Sequence, residues 1–125
     1  MDFNPNRAIY LQIADHICEH ILIGTWPVET KIPSVRELAI ELGVNPNTVM
    51  RTYDLLQQHG IIVNKRGIGF FVPVDSFSQI KKYKRAIFME EDLPQLFKNL
   101  YLLDISLEEL KQKYEAYVLT HYKSN

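Results

Sequence analysis

Arg36, Asn45, Asn47, Thr48 and Arg51 fall within one short stretch of chain, and Lys65, Arg66 and Gly67 come soon after. Arginine and lysine donate to phosphate oxygens. Asparagine can pair with N6 and N7 of adenine, and threonine can touch the methyl group of thymine. A glycine beside two cations allows close approach of backbone to a phosphate. No catalytic set accompanies these residues. There is no nucleophile with a His–acid pattern, no metal motif and no phosphate-binding loop, since neither Lys-Ser/Thr nor a helix start succeeds Gly67-Ile68-Gly69. The chemistry on offer is recognition of double-stranded DNA, not catalysis.

The elements that must position these groups can be read from capping and periodicity. Ser34 and Glu37 form a capping box after Pro33. Val35, Leu38, Ala39 and Leu42 then make one apolar stripe. Gly43 ends this helix, Asn45 is a good N-cap and Pro46 fits the first position of a second helix. In that second helix Val49, Tyr53 and Leu56 point inward, while Asn47, Met50, Arg51, Asp54 and Gln58 point outward. Two short helices joined by one tight turn are either an ordinary helical hairpin or a helix-turn-helix, whose second helix enters the major groove. The segment directly after the helix pair favours the helix-turn-helix. Ile61-Ile62-Val63 and Phe70-Phe71-Val72 favour strands, and Arg66-Gly67-Ile68-Gly69 reads as the tip between them. A hairpin in this place is a wing, with Lys65 and Arg66 at its tip.

Four blocks carry a likeness to a known family. They are Ala8-Ile-Tyr-Leu-Gln-Ile-Ala14, Lys31-Ile-Pro-Ser-Val-Arg-Glu-Leu-Ala39, Leu42-Gly-Val-Asn-Pro-Asn-Thr-Val49 and Arg66-Gly-Ile-Gly-Phe-Phe-Val72. In order and spacing they resemble the winged helix-turn-helix of GntR-type transcriptional regulators, over about residues 6 to 74. The short tail is similar to that of the YtrA-like subgroup. The resemblance implies a dimeric repressor or regulator that binds an inverted repeat. It implies DNA-facing roles for Arg36, Asn45, Asn47, Thr48, Arg66 and Gly67. The wider family often has Arg where this chain has Pro46 and Met50, whereas YtrA-like members often carry the Asn-Pro-Asn-Thr form. The family also tends to have Gly at the place of Glu29, a difference that reads as loop variation.

The expected fold is mainly α with a small β-hairpin: a winged helix-turn-helix over residues 1–74 and a helical dimerisation segment over 75–125. A first helix from about Ala8 to Ile23, with Tyr10, Ile13, Ala14, Ile17 and Ile21 as its stripe, should pack under the helix pair. A length of 125 residues, 46% of them hydrophobic, suffices for a core. The formal net charge of −1 offers no basic footprint. Residues 1–74 hold 6 Lys/Arg against 7 Asp/Glu, so any footprint must come from placement, and affinity must lean on dimerisation. The single cysteine, Cys18, rules out an intramolecular disulfide and reads as a buried thiol. His16 and His20 are one turn apart, but two ligands fall short of a metal site, and solvent-facing histidines are expected. No cofactor is called for. With no signal segment and no long apolar run, the expected location is the cytoplasm, away from any membrane.

The tail should be helical. Pro94 should kink or break it, or Asp92 with Gln95 could cap a fresh helix there. Ser106 and Glu109 open a last helix through about Tyr122, with Leu107, Leu110, Tyr114, Tyr117 and Val118 as its stripe. So much apolar surface exceeds what two short helices can hide, which makes a homodimer the expected assembly, with Phe97, Leu100 and Tyr101 as anchors. The Lys81-Lys82-Tyr83-Lys84-Arg85 run could touch flanking DNA or form a solvated face. Neither the operator nor an effector can be read from these residues. The competing function is a winged-helix protein-interaction module that never contacts DNA.

Overall fold

The computed structural model describes residues 1–123. The order is α1 (Ile9–Leu22), α2 (Val35–Leu42), α3 (Pro46–Gln58), β1 (Val63–Lys65), β2 (Gly69–Phe71), α4 (Ser76–Ile87), a π-helical turn (Phe88–Asp92), α5 (Leu93–Leu102) and α6 (Leu107–His121). The chain forms two compact units, one of Met1–Lys84 and one beginning at Arg85.

In the first unit, α1 buries Ile13, Ala14, Ile17, Cys18 and Ile21, the stripe expected with Cys18 added and Tyr10 left half-exposed at its edge. Burial pushes the Cys18 thiol up to about 11, so it stays protonated and inert near neutral pH. Leu38 and Ala39 of α2 and Val49, Thr52, Tyr53 and Leu56 of α3 close the core against it. The short side chain of Ala39 suits a close helix crossing.

β1 and β2 pair antiparallel with Val63 opposite Phe71 and Lys65 opposite Gly69. The hairpin is shorter than expected. Ile61 and Ile62 are fully buried and precede the strand, because the Ile61 N–H still donates to Leu56 O at the end of α3, 2.9 Å away. The other side of β2 is also paired. Ile32 N donates to Phe70 O (2.9 Å), Val72 N to Thr30 O (3.1 Å) and Glu29 N to Val72 O (2.6 Å). The loop before α2 thus pairs with β2 at an isolated bridge, Lys31 opposite Phe71, that ties the wing to the helix pair.

That pairing explains Glu29. Its φ is 64°, in the left-handed region where a Cβ crowds the carbonyl. The position is therefore a conformational constraint, not free loop variation, and a glycine there relieves it. Glu29→Gly is expected to stabilise the chain by about 1 kcal/mol in urea unfolding. A destabilised Glu29→Gly would show that the left-handed backbone carries no strain.

The start of α4 packs with the first unit. The buried Ser76 hydroxyl donates to Ile61 O at 2.8 Å, and the Tyr83 ring lies 4.8 Å from that of His59. Past α4, Pro94 does not break the helix. It occupies the first turn of α5, and the residues before it wind as a π turn. The wider turn accommodates the missing N–H and the ring clash one turn back. Asp92 is itself helical, with φ −86° and ψ −37°, and makes no side-chain cap, so the Asp92–Gln95 capping box does not form. The Ser106 hydroxyl does cap α6, accepting from Glu109 N at 3.1 Å. None of α6's residues is buried.

Candidate nucleic-acid interface

The cap of α2 sets the direction in which Arg36 leaves the fold. Ser34 Oγ accepts from Glu37 N (3.1 Å), and Ser34 N donates to Glu37 Oε1 (2.9 Å). Hydrogen bonding to the carboxylate from the Ser34 backbone N–H, and then from the Ser34 side chain, holds the Glu37 carboxyl below its ordinary range, with a smaller contribution from the Lys31 charge. A carboxyl whose pKa is lowered by folding stabilises the fold above the ordinary carboxylate range, and that contribution disappears as the pH falls through the folded value. Between neutral pH and about pH 3, below the ordinary carboxylate range, the wild type is expected to lose more stability in urea unfolding than Glu37→Gln does. Equal losses would show that the box does not depend on the carboxylate.

Gly43 leaves α2 with φ 68°, and α3 starts at once. Asn45 Oδ1 accepts from Asn47 N at 2.8 Å, with Pro46 in the first turn. The Asn45 oxygen is thereby engaged as a cap, which leaves its amide N–H groups for any ligand. Asn47 is exposed and Thr48 half-buried. Arg36, Asn47 and Met50 line one shallow groove, floored in part by Phe70 of β2. Arg51 is exposed, and its guanidinium carbon lies 3.8 Å from the centre of the Tyr10 ring, over its face.

Tyr53 joins the three parts of this surface. Its hydroxyl donates to Pro33 O at 2.6 Å, just before the α2 cap, and its ring meets Phe70 edge-on at 4.9 Å. Burial pushes its pKa upward, so the phenol stays a donor. The wing extends from there. Lys65, Arg66 and Gly67 are exposed, with Gly67 at φ 80°, and Ile68 N donates to Lys65 O at 2.9 Å to close the tip. Lys65 Nζ sits 4.3 Å over the Phe71 ring, which holds it against the hairpin. Ile68 also stands exposed at the tip.

Among the residues expected to mediate assembly, Phe97 is 53% and Tyr101 83% exposed. Leu100 is only 7% exposed in the single chain, so its side chain is already engaged there. Leu102, Leu103, Leu107, Tyr114 and Tyr117 are each more than half exposed.

The histidines depart from expectation. His16 Nε2 and His20 Nε2 lie 3.1 Å apart, and the His20 ring stacks on Trp26 at 5.3 Å. Both are half-buried rather than solvent-facing: Trp26 covers His20, and the His16 ring abuts that of His20. Burial, and then the neighbouring His20, hold His16 below its ordinary pKa. Among the described residues no three His, Cys, Asp or Glu are placed to share a metal ion, and no helix is long and apolar enough to cross a membrane.

Sequence reasoning missed the contacts of Tyr10, Tyr53 and Phe70 with this surface. Tyr10 and Tyr53 read as core positions, and only their aromatic, polar-tipped character hinted at more.

A capped helix pair, a third helix beneath it and a paired hairpin beyond it define a winged helix-turn-helix. The family model for bacterial regulatory proteins of the gntR family matches residues 9–72. The HTH-type transcriptional regulator YhcF of Bacillus subtilis is 44% identical over 70 residues, 56% of this chain and 58% of that protein. The HTH-type transcriptional repressor YtrA of the same organism is 33% identical over 90% of this chain and 85% of its own length. A solved structure described as a GntR-family transcriptional regulator from Bacteroides thetaiotaomicron is 45% identical, with a TM-score of 0.76 over 90% of this chain and 98% of that one. The chain belongs to the GntR family, whose members are transcriptional regulators.

Proposed function

We propose that this chain is a sequence-specific DNA-binding transcriptional regulator, a dimeric repressor of an inverted-repeat operator. The observation that carries the reading is the shared groove of Arg36 and Asn47, set by two capped helix starts and flanked by a basic wing. Asn47 and Thr48 read base edges, while Arg36, Arg51, Lys65 and Arg66 take phosphates or the minor groove, with Gly67 allowing close approach and Asn45 offering its amide. Residues 1–74 do this work and residues 75–125 hold two copies together. A two-fold dimer imposes two-fold symmetry on its site. Repression is favoured by the name of the YtrA relative. With DNA as partner and no reaction to perform, the chain acts as a regulator in the cytoplasm, not as an enzyme.

One observation favours a second reading, a winged-helix module for protein interaction. The formal net charge is −1, and Glu37 and Asp54 stand exposed near the proposed face. Selection of bound sites from a random duplex pool separates the two. Enrichment of an inverted repeat supports the operator reading, and a pool that stays random supports the module.

A further inference from the structure

We propose that Tyr10 is a positioning residue for DNA binding: its ring holds the Arg51 guanidinium flat at the rim of the recognition helix, with the N–H edges free to grip a DNA phosphate. The proposal rests on the reading of the chain as a DNA binder and adds a residue of α1 to the machinery.

Arg51 comes four residues after Asn47, about 40° further round the helix at 3.6 residues per turn. It therefore shares the outward face but leans from its centre toward α1. Its guanidinium carbon lies 3.8 Å from the Tyr10 ring centroid, closer than a loose surface contact requires. A guanidinium that stacks on a ring presents its flat face to it. The five N–H donors lie in its plane, so the edge that grips a phosphate stays available. Among the described residues no carboxylate is ion-paired with Arg51, so its charge is not spent inside the fold.

The backbone that carries the ring is anchored from below. The hydroxyl of Thr52, adjacent to Arg51 in the chain, donates to the backbone carbonyl of Tyr10 at 2.8 Å, with Thr48 O a second, longer acceptor at 3.2 Å for the same proton. Thr52 is wholly buried. One buried hydroxyl therefore fixes the backbone of Tyr10 to the helix turn that carries Thr48 and Arg51. A long arginine that would otherwise lose its freedom on meeting DNA is ordered beforehand. Its position at the rim suits a phosphate flanking the groove, not a base at its centre, so the contribution should be the same for every sequence.

The test is a double-mutant cycle on the full chain, using the duplex site recovered by selection and an unrelated duplex. Tyr10→Leu is expected to weaken binding to both about two- to fivefold, the range of an exposed cation–π contact, with the base preference unchanged. Tyr10→Phe keeps the ring and should bind as the wild type does. In an Arg51→Ala background, Tyr10→Leu should cost nothing further. An equal loss in that background, or a Tyr10→Phe as weak as Tyr10→Leu, would overturn the proposal and make Tyr10 a packing residue. Ring-current shifts of the Arg51 side-chain protons in the unbound wild type, lost in Tyr10→Leu, report the stack independently of the variants' stability. Unshifted protons in the wild type would overturn it as well. A wild type that binds no duplex refutes the DNA reading itself, whereas a wild type that binds with Tyr10 indifferent refutes only this inference.

Discussion

Asn47→Ala is expected to weaken binding to the best duplex site by roughly 1–3 kcal/mol and to relax the preference at one base position. Asn47 is exposed, its backbone N–H is taken by the Asn45 cap, and its side chain lies free in the groove beside Arg36. Truncating it should therefore leave the fold's stability nearly unchanged, since no packing is lost. Its amide offers the donor and acceptor that an adenine edge presents in reverse. Re-selection of sites with the mutant reads the effect position by position. An unchanged site profile for Asn47→Ala would refute base reading by this residue and shift specificity to other side chains or to DNA shape.

The second large effect concerns assembly. A chain of net charge −1 has little attraction for DNA as a single copy, and two linked copies double the phosphate contacts without any new basic patch. Phe97 and Tyr101 are one turn apart on α5, more than half exposed, and none of α6's residues is buried. Large apolar side chains in that state are what a homodimer core is made from. Phe97→Asp with Tyr101→Asp is expected to convert a dimer to a monomer and to reduce operator affinity by about 10²- to 10⁴-fold, the usual gain from linking two sites. Both changes lie on exposed positions, so the winged helix-turn-helix should keep its own stability. Leu100→Asp would disturb the single chain as well, because Leu100 is already buried there. Sedimentation at micromolar concentration gives the answer. A wild type that is monomeric at every concentration would sink the dimer, and a truncation after Lys84, where the first compact unit ends, that still dimerises would move the interface out of α5 and α6.

Local chemistry made much of the helix pair legible beforehand. The Ser34–Glu37 box, the left-handed Gly43 and the Asn45-Pro46 start all form as their residue types imply, because each depends on neighbours within four positions. The outward placement of Arg36, Asn47 and Arg51 comes from the same helix phase. What local reasoning could not supply came from contacts distant in the chain. The pairing of residues 29–32 with β2 joins segments about 40 residues apart, and it is this pairing that turns Glu29 left-handed. Trp26 covers His20 only because the chain folds back after Gly24. The π turn before Pro94 was missed for another reason. A proline inside helical periodicity is compatible with a break, a cap or a wider turn, and the choice depends on how the flanking turns are held. Tyr10 shows a third kind of limit, since a residue at the edge of an apolar stripe can serve the core and the surface together.

The central claim is that the groove and the wing hold DNA through named cations. It is tested most directly by the salt dependence of duplex affinity for the wild type, Arg36→Ala and Arg66→Ala. Each lost phosphate contact should weaken binding across sequences and lower the slope of log affinity against log salt by about 1. Both substitutions are at exposed positions, so the fold should survive them. The expected result is a steep salt dependence in the wild type and a shallower one in each variant. Affinity and slope left intact by both substitutions would contradict the account.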